Sequence, residues 1–283
     1  MVFLAVVSGS SCGEKDFKKN DYLLLKEGLN TIQLPSRTEG GSMSDEPVPV
    51  DIYVSPDKGA QGGDVLVLPG WDFARTEWQK KTQLVSQARN LGFRLVFPEM
   101  KKTLYESEYF PETNLKWGPT PGAKWIKEVL VPSLQKYGLL LPGGRNFLLG
   151  LSTGGRGVAI LHLAMPGLFK GGASLSGDFD QTAMPFDNLM TAVYGTYAAN
   201  KKRWSEVDNP QSSVLSWTMP LYLGHGKKDA VVPFSQTQNF HDALREKRPE
   251  VRVELHAPEN SGHDFEYWSS EVPRALEFFN SIK

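Results

Sequence analysis

Hydrophobic and polar positions change their period several times along the chain, and each change predicts an element. Over residues 22–35 and 48–54 apolar and polar side chains alternate, the period-two signature of strands with one solvated face. These segments predict antiparallel strands at one edge of a sheet, joined through the loop Glu39-Gly40-Gly41-Ser42. Residues 64–68 and 93–97 are short, nearly continuous apolar runs instead, the pattern of strands covered on both faces. Residues 76–90 between them read as a helix, so the three segments form a βαβ unit. The same alternation continues with a helix over 123–137, a strand at 146–149, a helix over 156–164 and a strand at 172–175. A strand from 219, a helix over 234–246 and an alternating strand at 251–256 complete the series. The fold class is α/β: a doubly wound, mostly parallel sheet with antiparallel N-terminal strands and helices on both faces.

Two connections are too long to be simple turns. Residues 98–121 hold Tyr105, Tyr109, Phe110 and Trp117, and residues 179–218 hold Phe186, Tyr194, Tyr197, Trp204 and Trp217. Long loops in compact domains are usually functional or disordered, and this aromatic density argues against disorder. Both are expected to build walls of a substrate pocket, 179–218 as a cap-like insertion. Trp71, Tyr109, Trp117, Tyr194 and Trp204 are the candidate substrate contacts; the competing reading is that such aromatics simply cover the core.

Composition narrows the classes. A chain of 283 residues with 40% apolar residues can bury one large core, which predicts a single catalytic domain over 21–283. A formal net charge of -1 leaves no electrostatic footprint for nucleic acid, and Lys201-Lys202-Arg203 reads as a solvated face. No apolar run approaches the length of a membrane-spanning helix. The first 20 residues admit two readings. Val2 to Val7 are apolar and lead through Ser8-Gly9-Ser10-Ser11 to Cys12, the one cysteine, which resembles the end of a bacterial lipoprotein signal followed by a polar tether. That reading predicts membrane attachment through a lipidated Cys12 at the cell envelope. A plain N-terminal tail on a cytoplasmic protein is the other.

The chemistry centres on Gly150-Leu151-Ser152-Thr153-Gly154, placed between an apolar strand and a helix. Strand, tight glycine turn, serine and helix in that order make a nucleophile elbow. The string alone is weak, so its partners must carry the weight. A serine nucleophile of this kind needs a carboxylate and then a histidine further along the chain. Asp229 lies in Gly-His-Gly-Lys-Lys-Asp-Ala-Val-Val-Pro after the strand from 219, and His263 follows Gly262 in the loop after the strand at 251–256. All three positions fall beyond the carboxyl ends of strands, where open α/β sheets place their ligands. Asp178 is the rival acid. His162, His225, His241 and His256 are the rival bases, with His225 close enough to Asp229 in sequence to brace its loop. No H-E-x-x-H spacing, Walker pattern or G-x-G-x-x-G after a strand occurs, so neither a metal nor a cofactor is expected.

The constellation resembles the α/β-hydrolase superfamily, and more narrowly the esterases related to esterase D and S-formylglutathione hydrolase. Leu68-Pro69-Gly70-Trp71, Ala173-Ser174-Leu175-Ser176-Gly177-Asp178-Phe179, and Val193-Tyr194-Gly195 leading to Arg203-Trp204 and Asp208-Asn209-Pro210 carry the narrower match, over roughly residues 45–283. Many relatives have His-Gly where this chain has Pro69-Gly70-Trp71. The resemblance implies an α/β-hydrolase fold and a serine carboxylesterase acting on a small-to-medium acyl ester or thioester. Ser152 would be the nucleophile, His263 the base and Asp229 its orienter, with backbone N–H groups of Thr153 and Trp71 as the oxyanion hole. A lysophospholipase, a serine peptidase of the prolyl oligopeptidase type, and a non-catalytic binding protein that keeps the fold are the alternatives.

Overall fold

The alternation read from the sequence is realised in space as two apolar faces of one sheet. In the computed structural model, which describes residues 23–38, 41, 45–56, 61–113 and 119–283, Leu66, Leu68, Leu148, Leu221 and Leu223 join one core. Val65, Val67, Leu149, Leu151, Ala173 and Leu175 join the other. Successive strand residues point to opposite faces, so a central strand must be apolar at every position to serve both cores.

In chain order the elements are β1 (Gly28–Leu34), β2 (Val48–Val54), β3 (Gly63–Leu68), α1 (Glu77–Lys81), α2 (Leu84–Leu91) and β4 (Phe93–Pro98). Next come α3 (Gly122–Trp125), a π-helical turn at Ile126–Leu130, α4 (Val131–Gln135), β5 (Asn146–Leu151), α5 (Thr153–Ala164) and β6 (Gly171–Leu175). A 3-10 turn at Gln181–Ala183, α6 (Asn188–Tyr194), α7 (Lys201–Glu206) and a 3-10 segment at Pro210–Ser216 fill the second long connection. The chain ends with β7 (Leu221–Gly224), α8 (Phe234–Lys247), β8 (Val253–His256) and α9 (Phe265–Ser281). The strands lie in the order β1-β2-β4-β3-β5-β6-β7-β8. β1 pairs antiparallel with β2, and β2 with β4, whereas every pair from β4 to β8 is parallel. Residues of α3, α4, α5 and α8 cover one face, and those of α1, α2 and α9 the other.

This order places a topological switch between β3 and β5: the chain leaves β3 toward β4 and returns on its other side as β5. Loops diverge there and open a crevice beyond the carboxyl ends of the strands.

Several elements differ locally from expectation, each for a visible reason. The helix expected over 76–90 is broken at Thr82, whose hydroxyl donates to the Trp78 carbonyl (2.6 Å) and accepts from Leu84 N–H (3.2 Å). One side chain ends α1 and caps α2. The helix expected over 123–137 runs through a π turn ahead of Pro132, which has no N–H to return to the preceding turn. β1 starts at Gly28, later than expected, because Asn30 exchanges hydrogen bonds with both backbone groups of Lys26 (2.9 and 2.7 Å) and closes a loop there. Tyr22, Glu39, Gly40, Ser42 and the whole lipoprotein reading at Cys12 lie outside the described residues.

Residues 179–218 form a small layer with its own apolar centre. Met190, Val193, Tyr194 and Trp204 are buried there together with Leu104 and Phe110 from the first long connection. Asp187 starts α6 by accepting from the N–H groups of Leu189 (2.8 Å) and Met190 (2.9 Å).

Candidate active site

The turn between β5 and α5 is tight because glycines flank it. A Cβ at Gly150 would collide with the Gly154 carbonyl, and one at Gly154 with the Leu68 carbonyl. Strand and helix approach at a distance only glycine permits. Ser152 between them is held at φ 53° and ψ −124°, outside the ordinary wells of an L-residue. Its N–H donates to the Leu175 carbonyl (2.8 Å), and its carbonyl accepts from Arg156 N–H (3.1 Å). Backbone pairing on both sides stabilises the strained turn and aims the hydroxyl out of the sheet.

Ser152 Oγ lies 3.0 Å from His263 Nε2, and His263 Nδ1 lies 2.7 Å from Asp229 Oδ2. With its Nδ1–H on the carboxylate, the imidazole presents Nε2 to the serine proton. The ring packs edge-on against Trp268 (centroids 4.9 Å apart, planes at 83°), which fixes its plane. Asp264, the next residue, caps α9 by accepting from Tyr267 N–H (2.8 Å), so His263 is anchored at the entry of a long helix.

Asp229 is more heavily braced than its position in a loop suggests. Its Oδ1 accepts from the N–H groups of Val231 (2.9 Å) and Val232 (2.8 Å). His225, wholly buried, places Nε2 3.2 Å from Asp229 Oδ2 and 3.0 Å from the Val232 carbonyl, while its Nδ1 meets the Thr237 hydroxyl at 2.7 Å. The Val232 carbonyl can only accept, so His225 carries its proton on Nε2 and shares it with the acid. Burial pushes the Asp229 carboxyl up, but hydrogen bonds from His225 and His263 outweigh it and hold the group well below the usual carboxylate range. The acid and base loops are also laced together by Lys227 N–H to the Pro258 carbonyl and Lys228 N–H to the Ser261 carbonyl, both 3.0 Å.

The loop after β3 faces the same serine. Gly70 packs so close to Leu151 and Ser152 that a Cβ there would press on both side chains. The buried Tyr105 hydroxyl donates to the Pro69 carbonyl (2.8 Å) and fixes the peptide that leads toward Trp71. Thr153 opens α5, where the first N–H groups have no partner inside the helix. Trp71 and Thr153 both line the cavity beside Ser152. Tyr105 was one anonymous aromatic in the sequence; its one signal is Gly157, where a side chain would clash with the ring.

A cavity of about 270 Å³ opens over Ser152 and His263. Trp71, Phe73 and Leu104 line one part of it, and Met184, Leu189 and Met190 from the second long connection line another. Of the candidate aromatics, Trp71 is in this lining. Tyr194 and Trp204 are instead fully buried within the 179–218 layer, with the Tyr194 hydroxyl on Asp208 (3.1 Å) and the Trp204 indole N–H on the Gly195 carbonyl (3.0 Å). Their polar tips find partners inside that layer, so packing rather than substrate contact sets their positions. Tyr109 lies at the surface outside the lining, and Trp117 lies outside the described residues.

The rival residues have other partners. Asp178 accepts from Arg156 (2.8 Å), His256 meets Glu271 (2.8 Å), His241 meets Asp242 (2.9 Å), and His162 packs against Trp217 (centroids 4.5 Å). Among the described residues no cluster of His, Cys, Asp and Glu is arranged to hold a metal ion, and no helix is long and apolar enough to cross a membrane.

Residues 134–281, spanning β5 to α9 and all three of Ser152, Asp229 and His263, match the model of the prolyl oligopeptidase family. The chain belongs to the prolyl oligopeptidase family. No curated protein matches the sequence. Solved structures similar to this prolyl oligopeptidase family member include an S-formylglutathione hydrolase from Staphylococcus aureus (17% identity, TM-score 0.68, covering 90% of this chain and 100% of that one). Another is an S-formylglutathione hydrolase from Agrobacterium tumefaciens (17%, TM-score 0.67, 89% and 99%). A ferulic acid esterase is similar over 92% of this chain and 100% of its own (16%, TM-score 0.64). At these identities the likeness is one of fold, and it makes this family member an α/β-hydrolase in architecture.

Proposed function

We propose that the protein is a serine carboxylesterase that cleaves a small-to-medium acyl ester or thioester through an acyl-enzyme. The observation that carries this reading is the relay Asp229 Oδ2 to His263 Nδ1 (2.7 Å) and His263 Nε2 to Ser152 Oγ (3.0 Å), opening into the cavity. In the first step Ser152 Oγ bonds to the carbonyl carbon while its proton passes to His263 Nε2. The carbonyl oxygen gains the negative charge and is stabilised by the N–H groups of Thr153 and Trp71. Collapse of that adduct breaks the bond to the alkoxide or thiolate, which leaves with the proton from His263. Water then repeats the sequence on the acyl-enzyme, releasing the carboxylic acid and restoring Ser152. Asp229 stays ionised throughout, balancing the imidazolium.

The S-formylglutathione hydrolase and the ferulic acid esterase among the structural relatives favour this substrate class, and an apolar cavity suits an acyl chain. Family membership favours a second reading, cleavage of a peptide bond after proline. Hydrolysis of p-nitrophenyl acetate and of a prolyl p-nitroanilide by wild type and by Ser152→Ala separates them. The proposal expects ester turnover that depends on Ser152 and exceeds any anilide turnover; equal ester rates for the two proteins would overturn it.

A further inference from the structure

Arg156 is the one charged side chain of α5, a helix whose other residues are glycine, threonine, histidine or apolar. It is completely buried, one turn after Ser152, and its guanidinium points away from the sheet into the second long connection. Nη1 donates to Asp178 Oδ2 (2.8 Å), a carboxylate that also lines the cavity. Nη2 gathers three points of the 179–218 segment: Gln181 Oε1 near its start (2.8 Å), the Tyr194 hydroxyl in its middle (3.4 Å) and the Asp208 carbonyl toward its end. Asp208 in turn accepts from Tyr194 (3.1 Å) and from Ser107 N–H (2.9 Å), tying in the first long connection. Further hydrogen bonds hold the ends of the layer, such as Gln236 Oε1 accepting from the N–H groups of Phe179 (2.9 Å) and Asp180 (2.8 Å). Arg156 links its start, middle and end to the helix that carries the nucleophile.

Resting on the esterase reading above, we propose that Arg156 is a positioning residue for substrate selection. It sets the distance between Ser152 and the wall formed by Met184, Leu189 and Met190, and thereby decides which acyl chains the cavity accepts. A planar fork with five donors is suited to this task, because it fixes direction as well as distance to several acceptors at once. A burial this deep would be costly without such partners, so the wall and the guanidinium hold each other in place.

An acetyl group carries one methyl beyond its carbonyl, whereas a hexanoyl chain extends four carbons further and, on this proposal, runs along the wall. Kinetics on p-nitrophenyl acetate, butyrate and hexanoate therefore isolate the wall, since the leaving group is constant. For Arg156→Met the expected result is a KM for hexanoate raised by about tenfold, with kcat/KM for acetate within about threefold of wild type. Arg156→Lys, which keeps the charge but loses the fork, should recover part of the hexanoate KM, and Tyr194→Phe should shift it in the same direction by less. Amide hydrogen exchange, which needs no activity, should quicken in α6 and stay unchanged in α8. Equal losses on all three esters, or unchanged exchange in α6 of a folded Arg156→Met or Tyr194→Phe protein, overturn the inference. Wild-type inactivity toward all three esters overturns the esterase reading instead, while the exchange data still judge the coupling of Arg156 to the wall.

Discussion

Asp229 accepts from two backbone N–H groups and faces two histidines, and this crowding explains how a loop residue stays ionised in a buried place. Its removal should expose the dependence: Asp229→Asn keeps the shape but reverses the preferred tautomer of His263, so kcat is expected to fall about 10³- to 10⁴-fold with little change in KM, measured on p-nitrophenyl acetate. Tyr105 acts at one remove, through the Pro69 carbonyl. Tyr105→Phe deletes one hydrogen bond and retains the ring against Gly157, so kcat should drop about 3- to 10-fold while the protein stays folded by circular dichroism. Residue-scale order was legible in the sequence: spacing singled out Ser152, Asp229 and His263, and the structure brings these three side chains into one hydrogen-bonded chain. Tyr105 and Arg156 could not be singled out in this way, because what defines them is a partner 36 or 52 residues away.

The elbow helix α5 shows what an element adds. It is buried along almost its whole length, and His162 near its end sits among Trp217, Thr218 and the apolar core, accepting from Thr218 N–H (3.2 Å). Burial pushes its imidazole down to about 4. In the unfolded chain the group takes up its proton near the ordinary histidine value of about 6.5. Between those two values the unfolded state binds more protons than the folded one, so stability falls as the pH is lowered through that window, by at most about 3 kcal/mol from this residue. Thermal unfolding between pH 7 and pH 4.5 should show the decline, and His162→Gln, which keeps an acceptor for Thr218, should make it shallower. Helix interruptions at Thr82 and before Pro132 follow from side-chain hydrogen bonding and a missing N–H. Apolar periodicity continues across both positions, which is why pattern alone predicts one regular helix where 76–90 splits in two and 123–137 contains a π turn.

At the scale of the whole molecule, the sheet was readable because each central strand must be apolar on both faces, and that demand is written locally in runs such as 64–68 and 93–97. The long connections were not readable to the same depth. Tyr194 and Trp204 are as aromatic as a pocket wall would be, yet they form the centre of a separate layer, and only three-dimensional packing distinguishes the two uses. Leu104, Met184, Leu189 and Met190, ordinary apolar residues in the sequence, reach the cavity instead. Fold order then does the rest: the switch between β3 and β5 brings the Pro69-Gly70-Trp71 turn beside Ser152, and the parallel run to β8 delivers Asp229 and His263 to the same rim. On the esterase reading, this rim makes Ser152 a nucleophile. Peptide mapping by mass spectrometry after treatment with a fluorophosphonate tests it most directly: a single adduct on Ser152 in wild type, lost in His263→Ala, is the predicted result, and an unlabelled Ser152 or an adduct that persists undiminished without His263 would contradict it.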